Sequence, residues 1–316
     1  MMNRWFLLGM VPLLSAAMPA AATPDRFAGT RLEPFAVAAA RIQALENGRV
    51  SAVFWDLASA TGSDFQTLAH AGFNEVIVDG HHFGEGHLPL EKVADQVAAA
   101  ARAGITSFKF VRGSPDWVGA EGVSARKKIA GLADRVQQLK GLLQARGDPQ
   151  AAAILKGVLV NVEPYAQRGW NYDLSGYVRL HDDLQKIAES RGLSYETFDA
   201  FWLGEPVHES GNAMTGYRVD PARTSYVMCY RCDGYDAFKI AGFFATRVPH
   251  LAGFDLVSGD PVGFKDRPKD LAQTVADYVD LTLSVRRERP AFLGIFVNAS
   301  RVADLISFIS RSSSRG

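Results

Sequence analysis

The sequence contains only two cysteines in 316 residues, Cys229 and Cys232, and it has no excess of charge of either sign. Its 34 Lys and Arg residues balance 34 Asp and Glu residues, which argues against nucleic acid or an anionic membrane surface as a partner. A redox C-x-x-C pair begins a helix, whereas this pair lies at the end of a strand-like segment. Two thiols without a nearby ligand set also argue against zinc. We interpret them as buried thiols or a local disulfide.

Apolar runs long enough to span a bilayer are also missing. One shorter apolar run lies near the start of the chain. Residues 1–22 are typical of a cleavable export signal, with Arg4 before an apolar core and a small-residue site at the end. The apolar core is short and is interrupted by Pro12, so it fits a bilayer span poorly. We predict cleavage after Ala22, with an uncleaved anchor as the alternative. The mature protein is then expected to be periplasmic or secreted.

Short apolar strands alternate with longer amphipathic segments along the rest of the chain. The predicted strands are Val50–Leu57, Glu75–Asp79, Ser107–Arg112, Gly157–Glu163, Ser194–Leu203, Ser225–Tyr230, Gly253–Val257 and Phe292–Val297. The runs are nearly continuous, as expected of strands that are buried on both faces. Eight such units predict an α/β fold, a single-domain (β/α)8 TIM barrel over residues 49–312, after a linker or helix at 23–48.

The main rival is a doubly wound open sheet. That fold normally carries a glycine-rich phosphate turn after its first strand, and residues 55–59 read WDLAS instead. Helices are predicted between the strands, for example at Leu90–Ala103. Gly72, Gly104 and Gly192 follow predicted helices at the position that favours a left-handed residue. The barrel therefore remains the preferred architecture.

The most informative segment is LKGVLVNVEPYAQRGW, in which a run of strand formers ends in a carboxylate. Asn161 and Glu163 are two residues apart, so in a strand they lie on the same side. Active sites of TIM barrels lie at the carboxyl ends of the strands. Glu163 is therefore the candidate acid of a carbohydrate-active site, and anchoring of a loop is the alternative.

Polar residues follow or close every predicted strand, which predicts a polar pocket above the barrel core. In chain order they are Asp56, Asp79, His81, His82, Lys109, Arg112, Asn161, Glu163, Glu196, Asp199, Glu205, Tyr230, Arg231, Asp255, Asp260 and Asn298. Glycoside hydrolysis needs two carboxyl groups, one of them an acid with a raised pKa. We assign Glu163 as the acid and Asp260 or Asp56 as its partner, with Glu205 as a further choice.

Other residues of this face are candidates for substrate binding. They are Asn161, Tyr230, Asp79, His81, Trp55, Trp202 and Glu205. Sugar rings stack on aromatic faces, and hydroxyl groups bind amides, carboxylates and imidazoles. The adjacent His81 and His82 leave a metal-dependent hydrolase or deacetylase as an alternative, although no second histidine cluster follows. We predict no metal and no cofactor. A G-x-S-x-G nucleophile elbow is missing.

The segment GVLVNVEPYAQRGW resembles the fourth-strand motif of bacterial glycoside-hydrolase-like TIM barrels, which are distantly similar to chitinase-like glycosidases. FDAFWL and SYVMCYRC resemble the fifth and sixth strands of the same group. The resemblance implies that Glu163 is the proton donor and that Tyr230 contacts substrate. It departs at Asn161, where the group has Asp, and this puts substrate-assisted cleavage of N-acetyl sugars in doubt.

Two classes of function follow from these patterns. The first is an exported glycoside hydrolase that acts on a poly- or oligosaccharide, with Glu163 as general acid. The second is a non-catalytic glycan-binding or polysaccharide-export-associated barrel, favoured by Asn161 and by the lack of a clear second carboxylate.

Overall fold

Eight parallel strands close into one barrel in the computed structural model, and each strand pairs with its neighbours in chain order. The structure describes residues 24–118, 121–164, 174–200, 222–228, 248–256, 270–284 and 291–314. The strands are β1 Arg49–Phe54, β2 Glu75–Asp79, β3 Ser107–Arg112, β4 Leu155–Asn161, β5 Ser194–Ala200, β6 Thr224–Met228, β7 His250–Asp255 and β8 Phe292–Ala299. The predicted TIM barrel is confirmed, because β8 pairs in parallel with β1 and closes the sheet.

Helices surround the barrel. They are α1 Glu33–Gln43, α2 Gly62–His70, α3 His81–Gly84, α4 Leu90–Ala103, α5 Gly122–Ala145, α6 Pro149–Ile154, α7 Leu174–Glu189, α8 Leu271–Ser284 and α9 Val302–Ser312. Local sequence signals set several boundaries. Thr61 and Asp64 form a reciprocal capping box at the start of α2, and Gly104 ends α4 with a φ of +99°. None of the described helices is long and apolar enough to cross a membrane.

Two apolar layers hold the barrel together. The larger one lies between the outer face of the sheet and the helices, and it includes Phe35, Leu132 and Val158. The smaller one fills the barrel itself with one side chain from each strand: Val53, Ile77, Val111, Leu159, Phe198, Tyr226, Leu251 and Phe296. We call this inner layer the plug. It separates the two ends of the barrel interior, and its members fix which residues of each strand face the axis.

Candidate functional site

A cavity of about 140 Å³ lies above the plug, at the carboxyl ends of the strands. Its described lining residues are Trp55, Asn161, Glu163, Phe198, Met228 and Asn298. They come from the ends of β1, β4, β5, β6 and β8. We call it the mouth cavity. The end of the barrel at which it opens is the end where TIM-barrel active sites are built.

Asn161 and Glu163 face this cavity together, as their spacing predicts. Leu159 belongs to the plug, so alternation along β4 turns Asn161 and then Glu163 toward the barrel axis. The end of β3 packs closely against this segment, because a Cβ atom on Gly113 would lie 1.6 Å from the main-chain oxygen of Asn161. Asn161 Oδ1 is buried and has no hydrogen-bond partner among the described residues.

Trp55 and Asn298 form the side of the mouth cavity contributed by β1 and β8. The indole Nε1 of Trp55 donates a hydrogen bond of 3.3 Å to Asn298 Oδ1, which holds the two side chains together. Trp55 is 41% exposed, an unusual state for so large an apolar ring. An exposed ring beside a carboxyl and two amides is an arrangement that suits a sugar.

The other predicted site residues that the structure describes do not line the mouth cavity. Asp56 anchors a loop: one carboxylate oxygen accepts the N–H of Val302 at 2.8 Å, at the start of α9, and the other accepts the hydroxyl of Ser59. Asp79 accepts the backbone N–H of His81 at 3.0 Å. His81 is exposed, and its Nε2 lies 3.4 Å from a carboxylate oxygen of Glu85. Both carboxylate oxygens of Asp56 thus anchor a loop, which fits these contacts better than the predicted role of Asp56 as the second catalytic carboxylate.

Four predicted site residues lie outside the described part of the chain, and their assignments stay predictions. They are Asp260, Tyr230, Trp202 and Glu205. Cys229 and Cys232 also lie outside it, so their state stays a prediction as well. The same holds for residues 1–23, which include the predicted export signal.

The expectation that Lys109 and Glu196 belong to the mouth of the barrel is wrong. Both face the barrel axis below the plug, at the amino ends of the strands. Lys109 Nζ lies 2.7 Å from Glu75 Oε2 and 2.6 Å from Glu196 Oε2, and it donates to the hydroxyl of Tyr226 at 3.0 Å. Arg49 Nη1 donates to Glu196 Oε1 at 2.8 Å. The five side chains form a buried network of opposite charges.

The charges of this network shift the pKa values of its members. Burial alone raises the pKa of Glu75, but Lys109 and Arg49 outweigh that effect and lower it to about 2. Burial and the neighbouring carboxylates Glu196 and Glu75 raise the pKa of Tyr226 well above its usual value. Beside the network, a cavity of about 460 Å³ opens at the amino-terminal face of the barrel. Polar interiors at this face generally serve stability.

Arg112 and Asp199 were also expected at the mouth, and both instead point outward from the sheet. Arg112 Nη2 donates to Glu85 at 2.5 Å and ties β3 to the segment after α3. Asp199 accepts hydroxyl hydrogens from Thr197 at 2.5 Å and Ser225 at 2.7 Å, and burial raises its pKa. Each of these residues follows a plug residue by one position, so its side chain points to the opposite face of the sheet.

Two residues of the mouth were noticed in the sequence as strand ends and were not selected as site residues. Asn298 lines the mouth cavity, and Asp255 pairs with it in the β7–β8 register. Leu251 belongs to the plug, and a Cβ atom on Gly253 would meet the ring of Phe296, so Asp255 faces the axis. Alternate residues of a strand face the same side, so this period, applied from each strand end, would have identified both residues.

The mouth holds no arrangement typical of a metal centre within the described residues. No group of three or more His, Cys, Asp or Glu side chains there is placed to hold a metal ion. The His82 ring lies 5.2 Å from the His81 ring and 5.8 Å from the His87 ring, and the nearest carboxylate to His81 Nε2 among the ion pairs of the described residues is Glu85, at 3.4 Å. The metal-dependent alternative gains no support from these positions.

No family model matches the chain, and no curated protein is similar to it in sequence. Solved structures that resemble it include a sugar phosphate isomerase/epimerase from Parabacteroides distasonis, at 10% identity and a TM-score of 0.47. That match covers 85% of this chain and 93% of the isomerase. An endo-β-1,4-mannanase of glycoside hydrolase family 26 from Cellulomonas fimi is 12% identical with a TM-score of 0.46, covering 93% of this chain and 77% of the mannanase.

The spore cortex-lytic enzyme SleL of Bacillus megaterium is a third such structure. It is 8% identical, its TM-score is 0.45, and the match covers 84% of this chain and 74% of SleL. Barrels of quite different chemistry are thus about equally similar, and similarity this low carries no argument about function. The chemistry has to be argued from the mouth cavity itself.

Proposed function

We propose that this protein is an exported glycoside hydrolase that acts on a poly- or oligosaccharide, with Glu163 as the general acid. The observation that carries the proposal is the mouth cavity, where Glu163, Asn161, Trp55 and Asn298 meet at the carboxyl ends of the strands. One carboxyl group, two amides and an exposed aromatic ring provide an acid, hydroxyl-binding groups and a stacking face.

In this mechanism Glu163 gives its proton to the glycosidic oxygen as the bond to the anomeric carbon breaks. In the same step a second carboxylate attacks the anomeric carbon as nucleophile, or takes a proton from the water molecule that attacks it. Asp255 suits this role, because it faces the axis at the end of β7 beside Asn298. Asp260 follows the same strand and remains a second choice. The carboxylate of Asp56 is already engaged by Val302 and Ser59.

Glu163→Gln is the direct test of the acid. The amide keeps the shape of the side chain and cannot donate a proton to the leaving group, so release of reducing ends from a panel of polysaccharides should fall about 10²- to 10⁴-fold. Asp255→Asn should cause a comparable loss. Glu46→Gln is the matched control, because Glu46 is exposed before β1 at the opposite end of the barrel. Activity of Glu163→Gln within threefold of wild type would refute the assignment.

A non-catalytic glycan-binding barrel is the second candidate, and one observation favours it. Among the described lining residues of the mouth cavity, Glu163 is the single carboxylate. If this candidate is correct, wild-type protein binds glycans, and neither it nor Glu163→Gln releases reducing ends. Glycan arrays followed by calorimetry on both proteins separate the two functions.

A further inference from the structure

The cavity of about 460 Å³ at the amino-terminal face of the barrel has no part in the proposed hydrolysis, because the plug separates it from the mouth cavity. We call it the amino-face cavity. Its charged lining residues among those described are three cations, Arg49, Lys109 and Lys156, and two carboxylates, Glu75 and Glu196. The lining therefore carries an excess of positive charge.

The two carboxylates of the amino-face cavity are engaged by the protein itself. One oxygen of Glu75 and one of Glu196 pair with Lys109 Nζ, at 2.7 and 2.6 Å. Of the other two oxygens, Glu75 Oε1 accepts the hydroxyl hydrogen of Tyr226 at 2.5 Å, and Glu196 Oε1 accepts Arg49 Nη1 at 2.8 Å. Two cations thus balance two anions inside the network, and the network does not oppose an anion at its surface.

Arg49 has hydrogen-bond donors that the described residues do not use. Its side chain starts on β1 and reaches Glu196 on β5, the opposite strand of the barrel. There Nη1 donates to Glu196 and, at 3.1 Å, to the hydroxyl of Tyr226, whereas Nε and Nη2 donate to no described residue. The side chain is 24% exposed. A planar guanidinium edge with two N–H groups matches two oxygens of a carboxylate or phosphate.

Lys156 provides a second cation at the same end of the barrel. It begins the exposed part of β4, the strand beside β5, and its main-chain oxygen accepts Ser194 Oγ at 3.3 Å. Its ammonium group is exposed and forms no ion pair with a described residue. Burial lowers the pKa of Lys140 on α5, and the nearby charge of Lys156 lowers it further. Two neighbouring ammonium groups without a counter-charge attract an anion.

We propose that the amino-face cavity binds a small oxyanion, a phosphate or carboxylate group, between the Nε–Nη2 edge of Arg49 and the ammonium group of Lys156. The cavity of about 460 Å³ has room for roughly fifteen water molecules at about 30 Å³ each, so the anionic group can carry a further substituent. An anion held there links β1 to β4 and stabilises the folded state by mass action. The site is independent of the glycosidase proposal, because the plug lies between the two cavities.

Inorganic phosphate and acetate are the probes, each added to the full chain at pH 7 and constant ionic strength. Calorimetric titration should show saturable binding of at least one of them, and Lys156→Met should weaken it about tenfold, because a charge-assisted hydrogen bond is lost. Arg49→Lys keeps a positive charge beside Glu196 and removes the planar edge, so it should also weaken binding. Lys92→Met is the matched control: Lys92 is exposed at the start of α4, at the opposite end of the barrel, and binding should stay unchanged.

Melting temperatures separate a specific site from a general salt effect. Without added anion, Lys156→Met should melt within about 2 °C of wild type, since exposed substitutions change stability little. Tighter binding of phosphate assigns a phosphate ligand, and tighter binding of acetate assigns a carboxylate. A melting temperature that rises without saturation, and equally in wild type and Lys156→Met, is a general salt effect and would overturn the proposal. So would the absence of binding of both anions at millimolar concentration. If Arg49→Lys does not fold, the two lysine variants decide.

Discussion

Lys109 is the residue whose removal tests the buried network at the amino end of the barrel. Its ammonium group is within 2.7 Å of one carboxylate and 2.6 Å of another, and the residue is 1% exposed. Lys109→Met keeps most of the apolar stem and removes the charge. Among the described cations Glu75 then retains Arg49, whose Nη1 lies 4.0 Å from Glu75 Oε2, and it still accepts hydrogen bonds from the hydroxyl groups of Ser51, Ser107 and Tyr226.

The expected magnitude follows from what buried ion pairs generally contribute. Removing one partner of such a pair costs about 3–5 kcal/mol of unfolding free energy, because the other charge stays buried without compensation. The lowered pKa of Glu75 agrees in direction, because Lys109 and Arg49 outweigh the effect of burial on this carboxyl group. We therefore expect Lys109→Met to lose about 3 kcal/mol at neutral pH.

Urea unfolding followed by circular dichroism measures this loss. Lys156→Met is the matched control, because Lys156 is exposed at the rim of the same cavity and should change stability by no more than about 0.5 kcal/mol. The pKa of Glu75 lies below its unfolded value in the wild type, so this contribution is present above pH 4.5 and is lost as the pH falls toward 2. The difference in unfolding free energy between Lys109→Met and the wild type should therefore become smaller in acid. A loss below about 1 kcal/mol, or a deficit independent of pH, would refute the argument.

Two further predictions concern the helix layer and the mouth. Burial lowers the pKa of His181 to about 3, so stability falls as the pH drops below its ordinary 6.5. Protonation of His181 alone should make the protein about 2 kcal/mol less stable at pH 5 than at pH 8. In urea unfolding at the two pH values, His181→Gln should remove this part of the change in unfolding free energy. Gly113→Ala forces a Cβ against the main chain of Asn161 and should destabilise by about 1–3 kcal/mol and weaken sugar binding. Gly141→Ala, which has open space around it, is the control, and equal effects of the two substitutions on melting temperature would contradict the packing argument.

Much of the fold could be predicted from the sequence, because apolar runs and helix caps are local signals. Leu90–Ala103 and Glu75–Asp79 were predicted with their observed limits, and the three glycines after helices have a positive φ. The short helices α3 and α6 were missed, because four to six residues leave no periodic pattern to detect.

The mouth of the barrel was predicted only in part, for a geometric reason. Glu163 and Asn161 lie two apart at the end of an uninterrupted strand, so their common direction follows from the strand period alone. For Lys109 and Glu196 the sequence shows a charge inside an apolar run without showing at which end of the barrel it lies. Strand register around the barrel decides that, and it depends on pairing between segments far apart in the chain.

The plug lies between two polar layers, the buried network at the amino end of the barrel and the mouth cavity. We therefore expect stability and sugar binding to depend on different residues. Within it the rings of Phe198, Tyr226 and Phe296 pack in tilted and edge-on contacts with centroids 5.3–5.7 Å apart, and packed interiors of this kind exclude water. We therefore expect the carboxylates paired with Lys109 to be shielded from a ligand in the mouth cavity. Lys109→Met should lower the melting temperature and leave the sugar affinity of the folded protein unchanged, whereas Glu163→Gln should abolish the release of reducing ends with little change in melting temperature. If Lys109→Met weakens sugar binding under conditions where it is fully folded, the two layers are coupled and the separation is wrong.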